Sequence, residues 1–152
     1  MTVYRNPIAQ KLLEAFSQFH KLNWKQSPIV GLKSSEIMVL YSIKKRTPPE
    51  SPGIKVSEIS SALSVANPTI TQLINALETN GYVERTMDQE DRRVVRVKLT
   101  GKGETTVDKA TGAFFESFNG LVDYLGEEES NRFAEVLAKV YRYFSELKRD
   151  NP

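Results

Sequence analysis

Two sets of polar side chains between residues 67 and 96 could form hydrogen bonds with the bases and phosphates of a DNA duplex. The first set combines amides and hydroxyls at helical spacing, with a proline near its start: Asn67, Pro68, Thr69, Thr71, Gln72 and Asn75. Asn and Gln can each pair bidentately with adenine in the major groove, and the Thr methyl can contact the thymine methyl. The second set lies in a charged loop and the strand after it: Asp91, Arg92, Arg93 and Arg96.

Each set also has a simpler explanation. The polar side of a helix can be merely solvated, and the charged loop also contains Asp88 and Glu90, so it could be an exposed turn that pairs with itself. No basic residue occurs from Ala66 to Gly81, which leaves guanine readout by this helix in doubt and shifts phosphate contacts to the loop. Further phosphate contacts are expected, from position alone, at helix starts upstream: Ser34, Ser35, Lys55 and Ser57.

The elements that must position these side chains follow from the apolar pattern. Two short helical patterns come first, with apolar residues at Ile59, Ala62 and Leu63 and then at Ile70, Leu73, Ile74 and Leu77. Asn80-Gly81 ends the second helix, because Gly is the usual residue just past a helix end. Two strands are predicted next, at 82–85 and 94–99, around a polar loop at 86–93. Helix, turn, helix and charged hairpin is the order of a winged helix-turn-helix, here predicted over residues 32–102.

The flanking segments are predicted to be helical. One amphipathic helix spans Asn6 to Lys25, another begins at a cap formed by Ser34 or Ser35 and ends near Lys45-Arg46, and Ser57 caps the first helix of the DNA-binding pair. Between these last two, the Pro-rich segment 47–53 is a solvated loop or a functional insert, and Ile54-Lys55 could add a third strand beside the hairpin. Thr100 caps the first of two long helices, which meet at Gly126, and Glu127, Glu128 and Glu129 open the second of them.

The terminal helices suggest a dimer. Each has one apolar stripe that the small central module cannot cover, so we expect residues 1–30 and 103–152 to form a helical dimerisation region of a single 152-residue domain. A self-contained helical monomer is the alternative. The predicted fold class is mainly α with a small β-hairpin wing.

The hairpin resembles that of a known family. Asp91-Arg92-Arg93, followed by Val95, Val97, Leu99 and Thr100, is similar to the Asp-x-Arg…Val-x-Leu-Thr wing signature of MarR-type (multiple antibiotic resistance) regulators. The resemblance extends upstream through Leu77-Glu78 and Gly81-Tyr82-Val83-Glu84-Arg85, and downstream through Gly101-Lys102-Gly103.

The resemblance implies a function. Arg93 would enter the minor groove at the wing tip with Asp91 steadying it, and an A·T-rich groove favours such an arginine through its negative potential. Arg92 and, more weakly, Arg96 would contact phosphates. The family further implies a homodimer on a pseudo-palindromic operator, a repressor function, and a small aromatic or lipophilic effector. Aromatic residues that could line an effector site are more simply explained as core or dimer contacts: Phe16, Phe19, Trp24, Tyr41, Phe114 and Phe115.

Composition excludes several other classes. The chain has no Cys and only one His, His20, so thiol chemistry is excluded and a His-rich metal site or an enzyme is not expected; nor is a cofactor. No apolar run approaches a membrane span and the start lacks a leader-like apolar segment, so the expected location is the cytoplasm. Residues 104–152 carry six Lys/Arg against ten Asp/Glu, so this acidic segment should face away from phosphates, unless it is mere compositional drift. The rival function is a winged-helix module that binds a protein and never DNA.

Overall fold

The computed structural model describes residues 6–22 and 27–150, which form six helices and three strands. By contact density the chain divides into two compact units, Met1–Glu104 and Thr105–Pro152. The elements, in chain order, are α1 Pro7–Lys21, α2 Ser34–Arg46, β1 Ile54–Lys55, α3 Val56–Leu63, α4 Asn67–Thr79, β2 Val83–Met87, β3 Val95–Leu99, α5 Gly101–Leu125 and α6 Glu127–Asp150. This confirms the predicted fold class, mainly α with a small β wing.

The core of the first unit lies where α2, α3 and α4 meet the sheet. Apolar residues recur at helical spacing on each helix, and their buried faces meet because no other surface of the lobe can remove them from water. The side chains of Leu40, Ile59, Ile70, Ile74 and Val97 are 0% exposed. The apolar periodicity that predicted α3 and α4 therefore marks the side that faces this core.

The sheet has the order β1-β3-β2, with both pairs antiparallel. Ile54 lies opposite Val97 in the short outer pair, so the predicted third strand is confirmed. β2 and β3 form the hairpin, with Val83 opposite Leu99 and Met87 opposite Val95. The strands therefore continue further into the wing than the sequence predicted on the β2 side.

The Pro-rich loop 47–53 is held against this sheet. The hydroxyl of Thr86 donates a hydrogen bond of 2.7 Å to the carbonyl of Pro52. Gly53 has a φ of +119°, and a Cβ placed there would lie 2.5 Å from the carbonyl oxygen of Val97. Only glycine fits this close backbone approach, so the end of the loop is a specific contact with the central strand.

Several predicted helix caps are wrong. The N-cap of α2 is Lys33, and Ser34 is already the first helical residue. The N-cap of α3 is Lys55 rather than Ser57, and its backbone N–H donates to the carboxylate of Glu58 at 2.9 Å. A carboxylate in the first turn can serve an orphan N–H as well as a hydroxyl can, so a Ser or Thr near a helix start does not by itself locate the cap.

The remaining boundaries agree more closely with the predictions. Asn6 caps α1 by accepting from the backbone N–H groups of Ile8 and Ala9. Residues 23–26, which include the predicted C-terminal end of this helix, lie outside the described residues. The hydroxyl of Thr100 accepts from the N–H of Gly103 at 3.1 Å, as expected for the cap of α5.

The terminal helices expose much of their apolar surface. No residue of α1 or of α6 is buried, among those described. On α6 the exposed apolar side chains recur at helical spacing: Phe133, Leu137, Phe144 and Leu147. Within the part of the chain that the structure describes, no helix is long and apolar enough to cross a membrane.

Candidate nucleic-acid interface

The turn between α3 and α4 sets the direction of the second helix. Ser64 takes a left-handed conformation with φ of +53°, and the N–H of Val65 donates to the carbonyl of Ser60 at 3.1 Å. The Ser60 hydroxyl also donates to the carbonyl of Val65, which closes the turn. Pro68 lies in the first turn of α4, where its missing N–H costs no helical hydrogen bond. The tight turn thus starts α4 at Asn67.

The predicted polar face of α4 points away from the core. Ile70, Ile74 and Leu77 are buried on the inner side. All six predicted residues of this helix are exposed: Asn67, Pro68, Thr69, Thr71, Gln72 and Asn75. Helical periodicity places Pro68, Gln72 and Asn75 in one row opposite the buried residues, with the others flanking it.

Two of these polar side chains are already engaged within the lobe. The hydroxyl of Thr71 donates to the carbonyl of Asn67 at 2.9 Å, four residues back on its own helix. The side-chain oxygen of Asn75 accepts a hydrogen bond from the guanidinium of Arg85 on β2. Because the Thr71 hydroxyl already donates within the helix, Thr71 can contact a base only through its methyl group or as a hydrogen-bond acceptor.

Arg85 ties the end of α4 to the first strand of the wing. Its Nη1 donates to Oε1 of Glu78 at 2.5 Å, and its backbone N–H donates to Oε2 of the same carboxylate at 3.2 Å. Nη2 then reaches the Asn75 oxygen, one helical turn earlier. Arg85 was not among the predicted site residues. The sequence did contain a signal for this contact, because Glu78 and Arg85 lie on either side of the Asn80-Gly81 turn. That turn brings the end of the helix close to the start of the strand.

The wing tip carries the second predicted set. Arg93 has a side chain that is 91% exposed, and its Nε donates to Oδ1 of Asp91 at 3.1 Å while Nη2 donates to Oδ2 at 3.3 Å. The backbone N–H of Arg93 also donates to Oδ1, at 3.0 Å. The side-chain and backbone hydrogen bonds from Arg93 lower the pKa of Asp91 below its usual value. The carboxylate thus holds the guanidinium at the tip while leaving most of its surface open.

The neighbouring arginines differ from each other. Arg92 is exposed and makes no hydrogen bond or ion pair with any of residues 6–22 and 27–150. Arg96 instead turns inward, and its side chain is only 23% exposed. It donates to the carbonyl of Gly53 at 3.1 Å and to Oδ2 of Asp88 at 3.3 Å. Arg96 thus joins the Pro-rich loop to the start of the wing loop, and its contact with a phosphate stays a prediction.

Asp88 completes this internal contact. Its carboxylate accepts the backbone N–H of Glu90 at 3.1 Å, and this bond, followed by the charge and hydrogen bond of Arg96, lowers the pKa of Asp88. The alternative of a self-paired loop therefore describes the start of the wing loop, where Asp88 pairs with Arg96. At the tip, Arg92 stays outside such pairing.

Comparisons with known proteins agree with this geometry. Residues 32–95 match the family model described as MarR family. The Escherichia coli HTH-type transcriptional regulator PrsX is 30% identical over 117 residues, which are 77% of this chain and 69% of that protein. The chain belongs to the MarR family. It is a MarR-family transcriptional regulator built on a winged helix-turn-helix.

Two further relatives of this MarR-family chain cover most of its length. The HTH-type transcriptional repressor MdtR of Bacillus subtilis (strain 168) is 28% identical over 110 residues, covering 72% of this chain and 68% of that protein. The crystal structure of Streptococcus pneumoniae FabT in complex with DNA is 26% identical with a TM-score of 0.69, covering 92% of this chain and 96% of that chain. The predicted membership of the MarR family is thus confirmed.

The four upstream positions predicted for phosphate contacts fall at the starts of two helices of this MarR-family lobe. Ser35 and Ser57 are exposed, whereas Ser34 and Lys55 are half-buried. Ser57 lines a shallow surface depression of about 460 Å³ together with Arg46, a cation that was not among the predicted contacts. Among the described residues, no group of His, Cys, Asp and Glu side chains could hold a metal ion.

Proposed function

We propose that this chain is a homodimeric, sequence-specific DNA-binding repressor that a small-molecule ligand releases from its operator. The observation that carries the proposal is the pairing, within one compact unit, of an outward amide row on α4 with exposed arginines at the wing tip. FabT, which is described in complex with DNA, and MdtR, which is named a repressor, support it as relatives. Such a repressor acts on the chromosome, so the proposal places the chain in the cytoplasm.

Base reading is assigned to the outer row of α4. Gln72 is exposed in the middle of this row and carries both a donor and an acceptor, the pattern that pairs bidentately with adenine. Pro68 and Thr69, at the N-terminal end of the helix, would approach the bases or the sugar-phosphate backbone beside it. Recognition helices of this class enter the major groove with their N-terminal residues forward.

The wing is assigned to the neighbouring minor groove and backbone. Arg93, held by Asp91 yet 91% exposed, is the side chain that would enter the minor groove. Arg92 would contact a phosphate. Further phosphate contacts are proposed at Ser35 and Ser57, which are exposed at the helix starts.

The homodimer is proposed from the apolar surface that a single chain leaves in water. On α1, Ile8, Leu12, Phe16 and Phe19 are each at least half exposed, and α6 carries a similar row. Exposed apolar stripes of this length mark protein contacts in soluble proteins. We assign the apolar faces of the helices in residues 1–30 and 103–152 to the dimer contact. A two-fold pair would place its recognition helices about 34–36 Å apart, on a pseudo-palindromic operator.

Release by a ligand is the last part of the proposal. The ligand would be a small aromatic or lipophilic molecule that binds more tightly to a dimer whose recognition helices have the wrong spacing for the operator. Its effect on operator affinity would be limited by the difference between its affinities for the two dimer geometries. Phe16 and Phe19 on α1 are about half exposed and could contribute aromatic surface to such a site. Trp24, another aromatic residue of the predicted set, lies outside the described residues.

The proposal is tested by selecting duplexes from a random DNA pool with the purified protein. We expect a pseudo-palindromic sequence, bound far more tightly than random DNA of the same length. Gln72→Ala should reduce that discrimination by about 1–3 kcal/mol for each half-site, the value of a good bidentate pair. Asn131→Ala removes an exposed amide from α6, outside the lobe, and is the matched control; it should leave discrimination unchanged.

If no duplex is enriched, the rival function gains support: a winged-helix module that binds a protein. If a duplex is enriched but Gln72→Ala discriminates as well as the original chain, DNA binding stands and the assigned reading row is wrong.

A further inference from the structure

We infer that Arg85 positions the amide of Asn75 so that its NH2 group, rather than its oxygen, is offered to DNA. Asn75 would then read base edges that carry acceptors, such as guanine or thymine, rather than adenine. This inference rests on the proposed DNA binding and specifies what one residue of the outer row can recognise. It replaces the bidentate adenine contact that the sequence pattern alone suggested for Asn75.

The position of Arg85 is fixed by several bonds to one end of α4. Its guanidinium and its backbone N–H both bond to the carboxylate of Glu78, at 2.5 and 3.2 Å. The rest of the guanidinium is therefore held beside Asn75, whose oxygen accepts from Nη2. The Arg85 side chain is 29% exposed, so water screens this pair only in part.

The chemistry of the guanidinium determines how the amide is turned. Arginine has only donors, so the atom of Asn75 that faces it must be the oxygen, and the NH2 group must point away from it. The hydrogen bond is charge-assisted, and such bonds are roughly twice as strong as neutral ones. Among the described residues, Nδ2 of Asn75 has no hydrogen-bond partner, whereas Oδ1 is engaged. A donor without a partner thus remains on an exposed side chain.

Adenine fits this arrangement poorly. A bidentate contact needs the Asn oxygen to accept from the adenine N6 amine while the Asn nitrogen donates to N7. The N6 amine would have to use the second lone pair of an oxygen that already accepts from a cation, and the guanidinium would repel the partial positive charge of that amine. Guanine offers acceptors at both N7 and O6, and thymine offers O4, so neither requires the Asn75 oxygen.

This assignment also addresses a gap in the recognition helix. No basic residue occurs from Ala66 to Gly81, so α4 lacks the Arg or Lys that most often reads guanine. An Asn75 amide turned by Arg85 supplies a guanine donor without a cation on the helix. Arg85 itself then acts as a positioning residue, because it works through Asn75 rather than through contact with a base.

The test begins with the base preferences of the unmodified chain and of Asn75→Ala, measured by selection from random DNA. The base pair whose preference changes is the one that Asn75 meets. At that pair we expect the unmodified chain to favour guanine or thymine over adenine by about threefold or more, within the range of one net hydrogen bond. With adenine placed there, replacing it by purine, which lacks the N6 amine, should leave affinity unchanged within about twofold.

The second arm removes the positioning group. Arg85→Met keeps an extended side chain but has no donor and no charge, so the Asn75 oxygen is no longer bonded to a cation and adenine should gain about threefold or more relative to guanine. Lys98→Met is the matched control, because it removes one cation and its ion pair with Glu84 from the same sheet. That control should weaken binding to all sequences equally and leave the base preference unchanged. Arg85→Ala, which also has no donor, serves if Arg85→Met does not fold.

The possible outcomes distinguish a failure of this inference from a failure of the proposed DNA binding. If no duplex is selected by the unmodified chain, the proposed function fails and this inference with it. If duplexes are selected but adenine is preferred at the Asn75 pair and its N6 amine is required, the inference alone is overturned. It is likewise overturned if Asn75→Ala changes the preference at no base pair, or if the folded Arg85 variant without a donor keeps the original preference.

Discussion

Replacing Arg93 with Ala should make DNA binding less sensitive to salt, by an amount that follows from the number of wings. The side chain is 91% exposed and its only bonds in the described chain are to Asp91, so its charge is open to a duplex. Between residues 88 and 93 the loop has three carboxylates and two arginines. The substitution therefore leaves one arginine in an acidic loop, and it does so on both wings of the proposed dimer.

The magnitude comes from the release of counterions. Each cation brought against the duplex contributes about 0.9 to the slope of log K against log salt, so losing one from each wing lowers the slope by about 1.8. Between about 50 and 200 mM salt, the affinity ratio of the unmodified chain to the variant should then shrink by about 12-fold. Fluorescence anisotropy titrations of a labelled operator across this range measure both slopes.

Arg92→Ala is the comparison that separates a phosphate contact from a minor-groove contact. It should change the slope by a similar amount, because it also removes one exposed cation from each wing. Only Arg93→Ala should lose the preference for A·T pairs beneath the wing, since the narrow A·T groove favours an inserted arginine. A slope that Arg93→Ala does not alter would show that the wing tip stays away from DNA, and the assignment of the wing would be wrong.

Three further outcomes are expected. Gly53→Ala should lower the melting temperature measured by circular dichroism, because the residue has φ of +119° and its Cβ would lie 2.5 Å from a strand carbonyl; strain of this kind costs about 1–3 kcal/mol. The pKa of Asp91 is lowered by Arg93, so the stabilisation from this pair is present above the usual carboxyl pKa and is lost as the pH falls through the lowered one; Arg93→Ala should raise the Asp91 pKa in a carboxyl NMR titration. Leu137→Glu should shift the chain from dimer to monomer in sedimentation velocity, because it places a charge in the exposed apolar row of α6.

Each of these has a matched control. Gly31→Ala meets open space at φ of +85°, so it carries the backbone strain without the clash and should destabilise less than Gly53→Ala. Arg92→Ala should leave the pKa of Asp91 close to its value in the unmodified chain, because the hydrogen bonds to that carboxylate come from Arg93. Lys139→Glu changes the polar side of α6 and should leave the dimer intact. A monomer in the unmodified chain, or equal melting temperatures for the two glycine variants, would contradict the corresponding argument.

Much of the fold could be predicted from local pattern. The three-and-four spacing of Ile70, Ile74 and Leu77 identified the buried side of α4, and hence the polar side opposite it. Alternating residues identified β3, and the Asn80-Gly81 pair located the end of α4. These features depend on residues that are only a few positions apart, so they can be predicted from the sequence alone. The charged wing signature belongs to the same class, because its residues are also neighbours along the chain.

The start of α3 depends on which of several neighbouring groups caps the helix. Lys55 precedes Ser57, and either residue could begin α3 by composition alone. The Glu58 carboxylate settles the start, because it reaches the N–H of Lys55 at 2.9 Å. Ser57, the expected cap, is instead an exposed residue in the first turn of α3.

The partners of the arginines were decided by tertiary structure alone. Arg96 pairs with Gly53 and Asp88, and the first of these lies 43 residues earlier in the chain. Arg85 bonds across the turn to the side-chain oxygen of Asn75. The order of residues in the sequence determined that amides lie in α4 and arginines in the hairpin after it. Only the packing of β1 and the Pro-rich loop on β3, and of β2 beside α4, determined which charges are used internally and which remain exposed, because a charge finds its partner by distance in space rather than along the chain.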